Sequence, residues 1–122
     1  MTDERTSLSE LRRLIASFVK ERDWTKFHAP KNLAMALACE AAELMEHFLW
    51  VESEASREVV LDEKKRAAIV EEVADVAICL LNLCNVVGID LSSAVEGKLA
   101  DARAKYPVHL VRGKSLKYDE YG

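Results

Sequence analysis

Apolar residues recur three and four positions apart along most of this chain, the pattern of helices that bury one face. From Ser7 to about Arg22 they fall at Leu11, Leu14, Ile15, Phe18 and Val19, and Ser7 with Glu10 three residues on makes a capping box. The stretch DWTKFHAP, Asp23 to Pro30, breaks the rhythm and puts two aromatics, a lysine and a histidine in a loop. Pro30 disfavours helix at Ala29 and can open the next one. A second helix is predicted from about Pro30 to Val51 on a stripe of Leu33, Leu37, Leu44 and Phe48. Ser53 to Leu61 reads as a polar connection. A third helix is predicted to open at Asp62, its N-cap, with Glu63 in the first turn, and to stop at Gly88 after Val87. Its stripe is Ile69, Val73, Val76, Leu80, Leu83 and Val87. A fourth helix starts after Asp90 and runs towards Tyr106, where Pro107 ends it. Val108 to Gly122 reads as a polar tail carrying Arg112, Lys114 and Lys117, with Lys105 just before it. The expected fold is all-α, of four-helix-bundle type, in a single domain over 1–122 with its helical core at about 7–106.

Composition sharpens this picture in three places. The 122 residues suit one domain, and 4 Gly with 2 Pro are too few for many short strands joined by tight turns. A net charge of −4 argues against a broad nucleic-acid-binding face, but leaves room for a small phosphate ligand held locally or through a metal. Cys39, Cys79 and Cys84 lie inside apolar helical patterns without a C-x-x-C spacing, which predicts buried, reduced thiols in a cytoplasmic protein. The start, MTDERTSLSE, has no apolar segment of a secretory signal, and no apolar run nears the ~20 residues of a spanning helix. Neither nucleic acid nor membrane is expected as a partner.

Carboxylates stand where a core is expected. Glu40 is three residues after Leu37 and four before Leu44, inside the second helix's apolar stripe, and Glu43 is three further on. Glu72 is three residues after Ile69 and four before Val76, with Asp75 three further on. A single such acid is ordinarily a solvated residue at the stripe's edge. If the two stripes face each other on antiparallel helices, the two pairs bring four carboxylates together. Burying one unpaired charge costs several kcal/mol, so the cluster calls for a cation. Hard oxygen ligands suit Mg²⁺ or Mn²⁺ better than zinc. A di-iron bundle would want Glu-x-x-His, which neither pair supplies. His47, four residues after Glu43, either joins the site or is a partly exposed core residue. The chemistry expected is metal-assisted phosphoryl hydrolysis, with a carboxylate taking a proton from the attacking water.

At these residues the sequence resembles the all-α nucleoside triphosphate pyrophosphohydrolases, the MazG-like superfamily, whose pattern is E-x-x-E followed by E-x-x-D. Here it is Glu40-Ala-Ala-Glu43 and Glu72-Val-Ala-Asp75. The surroundings, RDWTKFHAPKNLAMALACEAAELMEHFLW, EEVADVAICLLNL, GIDL and KYPVHLVRGKSLKY, resemble the dCTP pyrophosphatase branch, and the likeness runs from Leu8 to about Tyr118. The resemblance implies hydrolysis of a (d)NTP to the monophosphate and pyrophosphate, with Mg²⁺ on Glu40, Glu43, Glu72 and Asp75. It implies a homo-oligomer, often a dimer of dimers, with helices of more than one subunit completing each site. It also implies substrate contacts at Trp24, Thr25, Lys26, Phe27, His28 and Trp50.

The residues themselves agree in part. A flat base is held well on an aromatic face, and Trp24 and Phe27 sit in a loop, where they either grip a base or pack. Asn32 can meet a base edge or serve as a local cap. Lys98, Lys105 and Arg112 are candidates to neutralise a triphosphate, or are solvated surface charges. Two positions depart from the branch. Cys79 stands where a Tyr is usual, four residues after the motif Asp, and Ala102 stands where an Asn is usual, four residues after Lys98. The readings to be separated are a dCTP-directed pyrophosphohydrolase that sanitises the nucleotide pool, a broad NTP pyrophosphohydrolase, a non-catalytic helical dimerisation module and a helical metal carrier.

Overall fold

The computed structural model describes residues 1–115 and 119–120, so Lys117 and the end of the likeness at Tyr118 lie outside the described residues. All regular structure among the described residues is helical: α1 Leu8–Glu21, a single 3₁₀ turn Thr25–Phe27, α2 Pro30–Glu46, α3 Ser53–Val59, α4 Glu63–Val87, α5 Leu91–Lys105 and α6 Val108–Val111. The chain forms two compact units, Met1–Gly88 and Ile89–Gly122.

The punctuation acts as its chemistry dictates. The Ser7 side chain accepts from the Glu10 amide at 3.1 Å while Glu10 accepts from the Ser7 amide at 3.3 Å. Asp62 accepts from the Lys65 amide at 3.0 Å and opens α4, and Gly88 closes it in the left-handed conformation at φ 71°. In the second unit the Asp90 carboxylate accepts from both the amide and the hydroxyl of Ser93 and opens α5.

Three expectations need correction. The second helix ends at Glu46 and not near Val51, because the amides of His47, Phe48 and Leu49 bond carbonyls three residues back and tighten the last turn. The connection after it holds a seven-residue helix, α3, with no side-chain cap and an Arg57–Glu54 ion pair at 3.6 Å. The tail begins with one helical turn, α6, which Pro107 starts at a position where its missing N–H costs nothing.

In the first unit, α4 packs against α2 and α1. Its N-terminal half turns one face inward, at Ile69, Glu72 and Val76. Its C-terminal half holds the helix's buried residues, Leu81, Asn82 and Cys84, while Ile78, Val86 and Val87 stay exposed. The expected stripes are only partly inside: Leu14 and Phe18 of α1 and Val73 and Val87 of α4 are exposed. Cys84 is buried, whereas Cys39 is exposed, about 120° around α2 from buried Leu33.

Candidate functional site

α2 and α4 run antiparallel, as their cross-contacts require. His28, just before α2, meets Asn82 late in α4, while Glu40 and Glu43 further along α2 meet Glu72 early in α4. Carboxylate oxygens of Glu40, Glu43 and Glu72 all lie within 4.8 Å of one another. Asp75 is exposed and outside that trio, yet close enough for its charge to act on both Glu40 and Glu72. One Oε2 each of Glu40 and Glu72 is buried without a hydrogen-bond partner.

The electrostatics follow from crowding. The Glu40 carboxyl is held above the ordinary carboxylate range by a hydrogen bond with Glu43, then by burial, then by the charges of Glu43, Asp75 and Glu72. Glu72 is raised too, first by burial, then by Glu43 and Asp75, with half-buried His47 opposing. Oxygen-only ligands and orphaned buried carboxylate oxygens fit a hard divalent cation, and sequestering two such oxygens is costly unless a cation or a proton compensates their charge.

One helical turn away lies a cavity of about 430 Å³. Ala36 lines it four residues before Glu40, and Cys79 lines it four residues after Asp75. α1 contributes Leu14, Ile15, Phe18 and Val19, and the loop contributes Trp24 and His28. Leu33 from α2 and Ile78 and Asn82 from α4 complete it. Local sequence explains how Trp24 arrives there. Asp23 takes a left-handed φ of 55°, which Asp tolerates better than most residues. The Asp23 amide then bonds the Lys20 carbonyl and the Trp24 amide the Val19 carbonyl, a Schellman end to α1. That turn folds Trp24 back edge-on to Phe18, with ring centroids 5.7 Å apart at 77°.

The other sequence candidates separate. Thr25 lines an adjoining depression with His28 and Asn82. Lys26 pairs with Asp23 at 2.9 Å, and its ammonium lies 5.5 Å from the centroid of exposed Phe27; neither lines the cavity. Asn32 donates to the Phe27 carbonyl at 3.1 Å, the local structural role. Trp50 is 96% exposed. Cys79 faces both cavity and acids, and burial followed by the charges of Glu40 and Asp75 pushes its thiol up, which keeps it protonated and unreactive. Lys98, Lys105 and Arg112 are exposed residues of the second unit. Sequence reading missed Phe18, hidden in an ordinary core stripe, and Asn82. The signal for Asn82 is its place seven residues after Asp75 and three after Cys79, a polar residue on the site's own helix face.

Comparison with known proteins places this arrangement. The MazG-like family matches residues 35–120. The chain is 43% identical over 114 residues to dCTP pyrophosphatase 1 of Rattus norvegicus, covering 93% of this chain and 67% of the rat protein. It is 42% identical over 114 residues to dCTP pyrophosphatase 1 of Homo sapiens, with 93% and 67% covered. A solved structure of a pyrophosphatase from Archaeoglobus fulgidus matches at a TM-score of 0.78 and 38% identity, covering 88% of this chain and 98% of that one. An all-α fold with paired carboxylates on facing helices defines the class, and the chain belongs to the MazG-like family.

Proposed function

We propose that this chain is a cytoplasmic, Mg²⁺-dependent pyrophosphohydrolase that converts dCTP and related (d)NTPs to monophosphate and pyrophosphate, sanitising the nucleotide pool. The observation that carries the reading is adjacency. Crowded carboxylates with orphaned buried oxygens sit one helical turn from an apolar cavity with an aromatic wall. A nucleoside triphosphate has the matching two ends, a polyanion and a flat base. Relatives that carry the name dCTP pyrophosphatase, 43% identical over 93% of the chain, support the same substrate.

Glu40, Glu43, Glu72 and Asp75 are the residues to hold Mg²⁺, with Mn²⁺ a substitute. Bound there, the cation supplies charge neutralisation, polarised phosphate oxygens and a more acidic water. A carboxylate of the same set that is not fully used in holding the metal accepts the water's proton. Trp24 stacks on the base, while Phe18, Leu33 and Ile78 exclude water around it. Lys98, Lys105 and Arg112 are proposed on charge alone as the cations that meet the triphosphate.

The active form is a homo-oligomer, a dimer of dimers. Support comes from α2, which is apolar on two opposite faces. Leu33, Ala36, Leu37 and Leu44 turn towards α4, whereas Met35, Ala38, Ala42 and Met45 form an exposed stripe at helical spacing, and exposed Leu49 follows just beyond the helix. A helix apolar all round is normally buried, and another copy of the chain is the cover proposed here.

The test is a panel of canonical and modified (d)NTPs with Mg²⁺ in ¹⁸O water, analysing both products. dCMP and pyrophosphate are expected as primary products. A nucleoside diphosphate with orthophosphate overturns the reading, and no hydrolysis of any triphosphate by metal-loaded protein favours a dimerisation module or a metal carrier.

A further inference from the structure

Asn82 is a polar residue in the middle of the apolar run ICLLNLCNVV, and it is 7% exposed. A buried amide weakens a core unless it is paired, so its partner is the informative observation. Its Nδ2 lies 3.1 Å from Nδ1 of His28, and both residues line the apolar cavity. An amide nitrogen can only donate. The His28 Nδ1 therefore accepts, and a neutral imidazole that accepts at Nδ1 carries its proton on Nε2.

We propose that Asn82 is a positioning residue that fixes His28 as its Nε2–H tautomer, so that the cavity presents one ring N–H donor to the edge of a bound base. The selection that follows rests on the nucleotide reading above. In surroundings supplied by Leu14, Ile15, Leu33 and Ile78, a donor facing a lone pair is satisfied, whereas a donor facing another N–H leaves both unpaired. Cytosine offers a lone pair at N3, where uracil and thymine carry N–H. The pair thus selects cytosine triphosphates against uracil and thymine triphosphates, through hydrogen-bond direction and not through size. The carboxylates keep their own task, since Asn82 lies on α4 seven residues, about two turns, beyond Asp75.

Long-range ¹H–¹⁵N NMR of the full chain reads the tautomer directly. In wild type, His28 should show an unprotonated Nδ1 and a protonated Nε2. Asn82→Asp puts an acceptor against Nδ1 and, read at a pH where the spectrum shows a singly protonated ring, should move that proton to Nδ1. Asn82→Leu keeps the volume and leaves the ring free to exchange. The ratio of kcat/KM for dCTP over dUTP should fall roughly tenfold in Asn82→Asp, and less in Asn82→Leu. The kcat for dCTP should change far less than that ratio. A protonated Nδ1 in wild type overturns the proposal whether or not either variant folds. So does a shifted tautomer in Asn82→Asp with an unchanged ratio. A wild type that hydrolyses no pyrimidine triphosphate overturns the functional reading and with it the base preference, while the tautomer assignment stands or falls on the NMR alone.

Discussion

The two ends of the α2–α4 interface solve opposite problems with the same antiparallel geometry. At one end, three carboxylates crowd within 4.8 Å and leave two buried oxygens without partners. At the other, a single polar pair, His28 with Asn82, satisfies itself inside an apolar wall. The first end is electrostatically incomplete and calls for a cation. The second is complete and offers shape, an aromatic face and one directed donor. On the reading proposed above, like charges crowded across the facing helices would hold a metal, whereas the neutral polar pair at the other end would serve recognition. Breaking either end should therefore produce a different kind of failure.

The largest effect belongs to the acid end. Glu40→Gln and Glu72→Gln keep shape and remove a charge from the trio. Turnover should drop well beyond the roughly 10–100-fold that the loss of a mere outer-shell partner costs a metal site. Circular dichroism should show an unchanged helical fold, because the removed charges repel one another. If both variants kept wild-type turnover, the acids would not be the catalytic centre.

The cavity end should fail through binding. Trp24→Ala removes the aromatic wall that the Schellman turn at Asp23 delivers beside Phe18. A lost stacking partner is worth about 1–3 kcal/mol, so the KM for dCTP should rise about tenfold to a hundredfold while kcat changes little. Trp50→Ala separates the cavity from the oligomer. Trp50 is 96% exposed in the single chain and lines no part of the cavity. An equal rise in KM from both tryptophans would mean that a second subunit brings its Trp50 to the base.

The same contrast explains what the sequence could announce. Caps are local chemistry, so Ser7, Asp62, Gly88 and Asp90 mark their helix ends plainly. The end of α2 is not local: no Gly or Pro follows Glu46 before residue 51, and the turn tightens without a residue that demands it. α3 was hidden for a related reason, since seven residues without a side-chain cap carry little propensity of their own. Charged groups in an apolar stripe stand out, and so the acid end was legible. The cavity end was not, because Phe18 looks like core and Asn82 gains meaning only when His28, 54 residues away, is seen against it. Asn32 was legible as a polar residue at a helix start, but only coordinates show that its amide is engaged by the Phe27 carbonyl.

The smallest effect, and the one that sharpens the comparison furthest, is the pH dependence of stability. In metal-free protein, Glu40 and Glu72 hold protons to higher pH than the ordinary 4.5. Between that value and the raised one, the folded chain binds more protons than the unfolded chain. Stability then falls as pH rises, because the slope follows protons bound unfolded minus protons bound folded. Calorimetry in EDTA should accordingly show Tm falling as pH climbs through this window, on top of whatever slope other groups give. Mg²⁺ should raise Tm by binding the folded state alone, and should flatten the slope by compensating the charges that lifted the two pKa values. Glu72→Gln should lose part of the slope even in EDTA, whereas Trp24→Ala, at the neutral end, should keep all of it. A metal-free protein whose Tm shows no difference in slope from Glu72→Gln would mean that the carboxylates are not crowded in solution, and the electrostatic contrast between the two ends would disappear.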